Sequence, residues 1–215
     1  MTTAPGLPAH LDADPVTVAD NIRDGAERLA KQVPSRYQDA RPTDPAVCSW
    51  VADVLARVTQ PHLPIIRKGP SLLLLGLTGT GKTHQAYGAV AALALSGAVC
   101  SWTFVTAADA YARLRPRARV DSEDEFMRLA NVPVLILDDL GAAKATDWTE
   151  EVNYRLINHR YEHELTTLIT SNVPVPHLKA GLGDRVASRL TEMATRTVLT
   201  GPDRRRLMSR GEQEA

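Results

Sequence analysis

Two cysteines in 215 residues, Cys48 and Cys100, are too few for a disulfide framework and stand at no metal-ligand spacing. Both read as reduced thiols of a cytoplasmic protein. An excess of charge of one sign is lacking as well, since 25 Lys and Arg balance 25 Asp and Glu. No global positive field advertises a nucleic-acid binder, so any such contact has to be local. The opening MTTAPGLPAHLDADP has neither a basic nor an apolar segment, and no stretch approaches the apolar length of a membrane span. A secretory leader and a membrane helix are therefore not expected. Internal repeats are lacking too, and His159 and His163, four apart, have no third ligand or Glu in a zinc pattern.

What is there centres on residues 71–83, SLLLLGLTGTGKT. Four consecutive leucines, too few for a helix of their own, read as a buried parallel strand. They lead into Gly76, Leu77, Thr78, Gly79, Thr80, Gly81, Lys82 and Thr83, which fit G-x-x-x-x-G-K-[ST] without a mismatch. The chemistry requires that spacing. Glycines let the backbone fold into a nest of N–H groups aimed at phosphate oxygens. Lys82 then reaches the β- and γ-phosphates of a nucleotide and the Thr83 hydroxyl ligates Mg2+. The helix that follows turns its positive end to the anion. The expected cofactors are ATP and Mg2+.

Up to about residue 13 the chain is small, polar and Pro-containing, and is expected to lack structure. Asp14-Pro15 reads as an N-cap followed by proline. It opens a helix to residue 33 with an apolar seam of Ala19, Ile22, Ala26, Leu29 and Val33. That seam either docks on the domain's own surface or serves a partner. A connector over 34–45 leads to a helix over 46–58 with Cys48, Val51, Val54, Leu55 and Val58 inward. Beyond the phosphate loop, helices are expected over 82–96, 107–114, 123–129, 147–164, 175–179 and 184–193. Strands are expected over 99–105, 134–137, 168–170 and 196–200. Asp147 with Glu150 makes a capping box that lacks its Ser or Thr. Strands alternating with helices predict an α/β fold, a three-layer αβα P-loop NTPase with a parallel sheet and helices on both faces. The expected division is a flexible N-terminus and docking helix over 1–33, an ATPase domain over 34–206, and a basic, polar tail over 207–215.

The apolar run 134–137 ends in Asp138 and Asp139. A buried strand there delivers carboxylates to its C-terminal edge, where an open α/β sheet binds its ligands. Asp138 is expected to hold the Mg2+ shell and Asp139 to orient or deprotonate the attacking water. At the end of the next strand Asn172 is either a γ-phosphate and water contact or an ordinary Asn at a strand-to-turn junction. Arg185 and Arg189 stand one helical turn apart on one face, and spacing alone favours solvated or salt-bridged side chains. Arg113, Arg115, Arg117 and Arg119 alternate just before the acidic run 121–125. Either a phosphate backbone or those acids satisfy them, and the pattern alone favours the acids.

Taken together, seven stretches in this order and spacing resemble the DnaC/IstB-type branch of AAA+ ATPases, and within it the helicase loaders. They are VPSRYQDAR (33–41), GLTGTGKT (76–83), VLILDDLGAAK (134–144), DWTEEVNYRLINHRY (147–161), TLITSNVP (167–174), GDRVASRL (183–190) and TGPDRR (200–205). The resemblance covers 33–206. It implies an AAA+ core with no C-terminal helical lid domain. It also implies that Arg189 is an arginine finger on a neighbouring subunit's ATP, with Arg185 in support. Residues 107–129 would form an insertion that touches single-stranded DNA, through Arg113, Arg115, Arg117 and Arg119. The implied function is ATP-driven loading of a replicative, DnaB-like DNA helicase onto single-stranded DNA, by a nucleotide-dependent oligomer without membrane involvement. The alternative is an IstB-like helper ATPase for DNA transposition. Many such proteins carry Glu where this chain has Asp139, and the shorter arm implies slow hydrolysis.

Overall fold

The computed structural model describes residues 6–8, 11, 13–60, 62–116, 121–142 and 145–203. Five strands form one sheet: β1 (Ser71–Leu75), β2 (Trp102–Thr106), β3 (Val134–Leu140), β4 (Thr166–Ser171) and β5 (Ala194–Val198). Their order is β2-β3-β4-β1-β5, with every pairing parallel. Successive side chains of a strand point to opposite faces. Leu72 and Leu74 therefore pack with one core cluster and Leu73 and Leu75 with the other, none more than 1 % exposed. A strand covered on both faces needs apolar residues at every position, which accounts for the unbroken leucine run.

One covering layer holds α1 (Pro15–Gln32), α2 (Pro45–Ala56) and α3 (Lys82–Ala94). The other holds α4 (Ala107–Leu114), α5 (Ser122–Asn131), α6 (Asp147–Glu162), α7 (Leu178–Leu182) and α8 (Asp184–Met193). The result is the expected three-layer αβα P-loop fold. Among the described residues no helix follows β5, and none is long and apolar enough to cross a membrane.

Several expectations change. The predicted seam of α1 does not set its docking. Ala19, Ile22 and Ala26 are exposed, and only Leu29 and Val33 of that seam turn inward. The helix lies instead on Gly25, where an added Cβ would come within 2.0 Å of the Ala94 carbonyl oxygen. Asn21 donates to Gly97 O at 2.8 Å and Arg28 to Cys100 O at 2.8 Å. A glycine and two polar side chains thus share with Leu29 and Val33 the fixing of the helix, which an apolar-periodicity reading only half sees. In α2, Val47 and Trp50 are buried while Cys48 is half-buried, its thiol donating to Pro42 O. The box opening α6 is formed by Thr146 and Thr149, so it has its hydroxyl after all, one residue earlier than Asp147. Strand β2 starts at Trp102, and Val99 makes only a single bridge with Ile65. Strand β3 continues past Leu137 through both aspartates, with a register shift against β4 between Leu137 and Leu140.

Candidate nucleotide site

The site stands at the C-terminal edge of the sheet, where β1, β3 and β4 end side by side. The loop from Gly76 to Gly81 joins β1 to α3. Gly81 caps α3 at φ 98°, a left-handed backbone in which only glycine escapes a steric penalty. Gly76 lies so close to Leu199 O that an added Cβ would approach within 2.6 Å. Leu77 is exposed, Thr78 and Gly79 line the cavity, and buried Thr80 donates to Leu77 O at 2.9 Å.

Lys82 begins α3 and is 7 % exposed. Its ammonium donates to Gly76 O at 2.8 Å, Leu77 O at 3.0 Å and Asn172 Oδ1 at 2.5 Å. The Asn172 amide donates in turn to Asp139 Oδ1 at 2.5 Å. Thr83 Oγ1 stands 3.0 Å from Asp138 Oδ2. Thr170, at the end of β4, donates to Asp138 Oδ1 at 2.6 Å and accepts from the Asp139 N–H at 2.9 Å. One continuous network therefore joins the phosphate loop, both aspartates and Asn172. Burial raises the Asp138 carboxyl above its ordinary range, while hydrogen bonds from Thr170 and Thr83 pull it back. A threonine hydroxyl beside a carboxylate is a pair of hard oxygen donors, which suits Mg2+ with its remaining positions filled by water and phosphate.

These residues open into a cavity of about 970 Å3. Its lining also brings in Arg36 and Tyr37, from the 33–41 stretch to which no site role was given, and His84, Tyr87, Phe104 and Asp109, which no motif marked. Tyr37, Tyr87 and Phe104 are stacked, with centroids 4.6 and 3.8 Å apart. Burial, then the nearby Asp138 carboxylate, pushes the Tyr87 phenol up to about 12. The three rings come from a short 3-10 turn before α2, from α3 and from β2, so no local pattern could join them. Thr170 did carry a signal, standing near the end of the strand that leads into Asn172.

The remaining predicted residues lie elsewhere. On α8, Arg189 donates to Asn158 Oδ1 at 2.9 Å and Glu192 Oε2 at 2.8 Å and lies over the Tyr161 ring. Arg185 lies over Tyr154 and meets Glu151 at 3.5 Å. Neither lines the cavity of its own chain. Arg113 pairs with Glu125 at 3.9 Å, and Arg115 lies 5.9 Å from the Trp148 ring centroid. Arg117 and Arg119 fall outside the described residues.

A parallel sheet whose strands present a phosphate loop, a carboxylate pair and an asparagine at one edge defines a P-loop nucleoside-triphosphate-binding protein. The chain belongs to the family of IstB-like ATP-binding proteins, whose model matches residues 58–198. It is 32 % identical over 116 residues to the replicative helicase loader DnaI of Bacillus subtilis, covering 52 % of this chain and 36 % of that one. It is 28 % identical over 160 residues to a putative insertion-sequence ATP-binding protein of Sinorhizobium fredii, covering 69 % of this chain and 52 % of the relative. The crystal structure of the DnaC helicase loader superposes with a TM-score of 0.64 at 26 % identity, over 78 % of this chain and all of that one. The chain thus spans about a third to a half of the length of those two curated relatives.

Proposed function

We propose that the chain is an ATP-dependent loader of a replicative DNA helicase, hydrolysing ATP at sites shared between neighbouring copies. The observation that carries this reading is the division of the machinery. Lys82, Thr83, Asp138, Asp139 and Asn172 converge on one cavity, while Arg185 and Arg189 stand on a separate face. A site that Arg185 and Arg189 of its own chain do not line gains them from the next copy, so turnover depends on assembly.

In the working complex Lys82 leaves Gly76 O and Leu77 O for the β- and γ-phosphates. Thr83 and Asp138 would hold Mg2+, which when bound neutralises charge on those phosphates. Asp139 orients or deprotonates the attacking water, and Asn172, between Asp139 and the Lys82 ammonium, holds that water beside the γ-phosphate. Arg189 of the neighbour exchanges Glu192 for the charge developing on the transferred phosphoryl group, with Arg185 beside it. A head-to-tail contact of this kind builds a ring or a spiral. Helix α1, with Val16, Ile22 and Ala26 turned to solvent, supplies the helicase contact. Arg113 and Arg115 face single-stranded DNA.

The test is to mix the purified protein with its host's replicative helicase, with and without ATP, and measure mass by light scattering on a sizing column. A complex heavier than the helicase alone is expected with ATP. A second reading, a helper ATPase for DNA transposition, is favoured by the family match and the insertion-sequence relative. No helicase complex in either condition, with a transposase complex formed instead, would replace the first reading by the second.

A further inference from the structure

Strands β3 and β4 pair in step from Val134↔Thr166 to Leu137↔Ile169, and the ladder resumes at Leu140↔Ser171. Residues 138–140 thus run against only 170 and 171, which makes a β-bulge. Asp139 takes the strain, at φ 60°, a conformation few side chains other than glycine adopt. A bulge interrupts the ladder's backbone hydrogen bonds. Here hydroxyls from β4 stand in. Thr170 Oγ1 accepts from the Asp139 N–H, and Ser171 Oγ donates to Leu140 O at 2.6 Å. The proton of the Thr170 hydroxyl goes to Asp138 Oδ1, so one oxygen atom is bonded to both aspartates.

From this geometry we infer that Thr170 is a positioning residue for hydrolysis, setting both aspartates through the bulge. The inference rests on the ATPase reading above. Thr170 is 1 % exposed, so it acts on nucleotide through Asp138 and Asp139 rather than by broad contact of its own. Its bond to Asp138 Oδ1 fixes that carboxylate's rotation and leaves Oδ2 beside Thr83. Its bond to the Asp139 amide holds the left-handed backbone that sends the second carboxylate to Asn172. A bulge beside a site commonly re-aims a side chain in this way. Without the hydroxyl, Asp138 is loosened, the Asp139 N–H loses its acceptor, and hard-cation binding weakens.

The test compares Thr170→Val, which keeps the shape and removes the hydroxyl, with Thr170→Ser, which keeps the hydroxyl. Binding of a fluorescent ATP analogue is titrated with Mg2+, and exchange of the Asp139 amide is followed by NMR. For Thr170→Val the Mg2+ needed for half-maximal enhancement should rise about tenfold, the effect usual for losing a group that orients a metal ligand. Binding without Mg2+ should change far less, and the Asp139 amide should exchange faster. Thr170→Ser should recover most of both readouts. An unchanged Mg2+ midpoint and unchanged Asp139 exchange in Thr170→Val would overturn the inference. If serine failed to recover either, the packing of the threonine methyl would be the cause, which also overturns it. Absence of nucleotide binding by the wild type would count against the ATPase reading, and amide exchange would then decide the role of Thr170 alone.

Discussion

Replacing Arg160 by Met should lower the melting temperature by about 6–12 °C, and the structure gives the reasoning. Arg160 on α6 has no exposed surface, yet among the described residues no carboxylate is a hydrogen-bond partner of it. Its guanidinium is solvated by backbone. It donates to Ala130 O, Val132 O and Thr166 O at 2.7 to 3.0 Å and to Thr167 Oγ1 at 2.8 Å. The carbonyls of Leu129 and Pro133 lie slightly further off. The charge thus caps the C-terminus of α5, where the helix dipole favours a cation, and ties it to the starts of β3 and β4. Burial pushes the guanidinium down to about 9, so it remains protonated at neutral pH. Methionine keeps the stem and removes the head. Each carbonyl orphaned in the interior costs about 1–3 kcal/mol, or ~5 kcal/mol for the three closest. Relief of the buried charge offsets part of this, leaving about 3 kcal/mol. For a domain of this size each kcal/mol moves the midpoint about 2–4 °C. Thermal unfolding followed by circular dichroism reads the shift, and Arg160→Lys, with fewer donors, should fall between. A drop under about 2 °C for Arg160→Met would refute the reasoning, because the head would then contribute nothing net.

Three further outcomes are expected. Lys82→Ala should weaken binding of labelled ATP by about a hundredfold or more, since a phosphate contact to a charged donor is lost inside a partly buried site; retained affinity would remove the phosphate-loop assignment. Gly25→Ala puts a methyl into the Ala94 carbonyl, so α1 should lift and be cut faster by protease while ATP affinity stays within about twofold, the loop being remote from that contact. Equal protease resistance would show that α1 is held by something other than Gly25. Arg113→Ala together with Arg115→Ala should weaken single-stranded DNA binding and reduce the slope of log affinity against log salt by about 1.4, at ~0.7 per phosphate contact. An unchanged slope would place DNA elsewhere.

The sheet was legible because its strands are buried on both faces, and continuous apolar runs such as 71–75 and 134–137 have few other readings. The phosphate loop and the paired aspartates were legible because their spacing is chemical. Other features come from tertiary contact. The face by which α1 docks carries Asn21, Gly25 and Arg28, and no hydrophobic periodicity marks a face fixed by backbone approach. The bulge at Asp139 depends on hydroxyls of a strand some thirty residues away in sequence. The Tyr37, Tyr87 and Phe104 stack joins three separate segments. Arg160 reads locally as one more polar residue of α6, and only the fold places it under α5. The arginines of α8 were legible in number and spacing, while their cradle of Tyr154, Asn158 and Tyr161 appears only once α6 packs against α8.

The central claim is that one copy's nucleotide is served by the next copy's arginine, and a mixture of two inactive variants tests it directly. Lys82→Ala lacks nucleotide but keeps Arg189, and Arg189→Ala keeps nucleotide but lacks the arginine. Each alone should hydrolyse ATP at a small fraction of the wild-type rate under conditions where the wild type assembles. Mixed in equal amounts, they should recover about a quarter of the wild-type rate, the chance that random assembly sets a nucleotide-bearing copy beside an arginine-bearing one. A mixture as inactive as either variant alone would contradict the shared site.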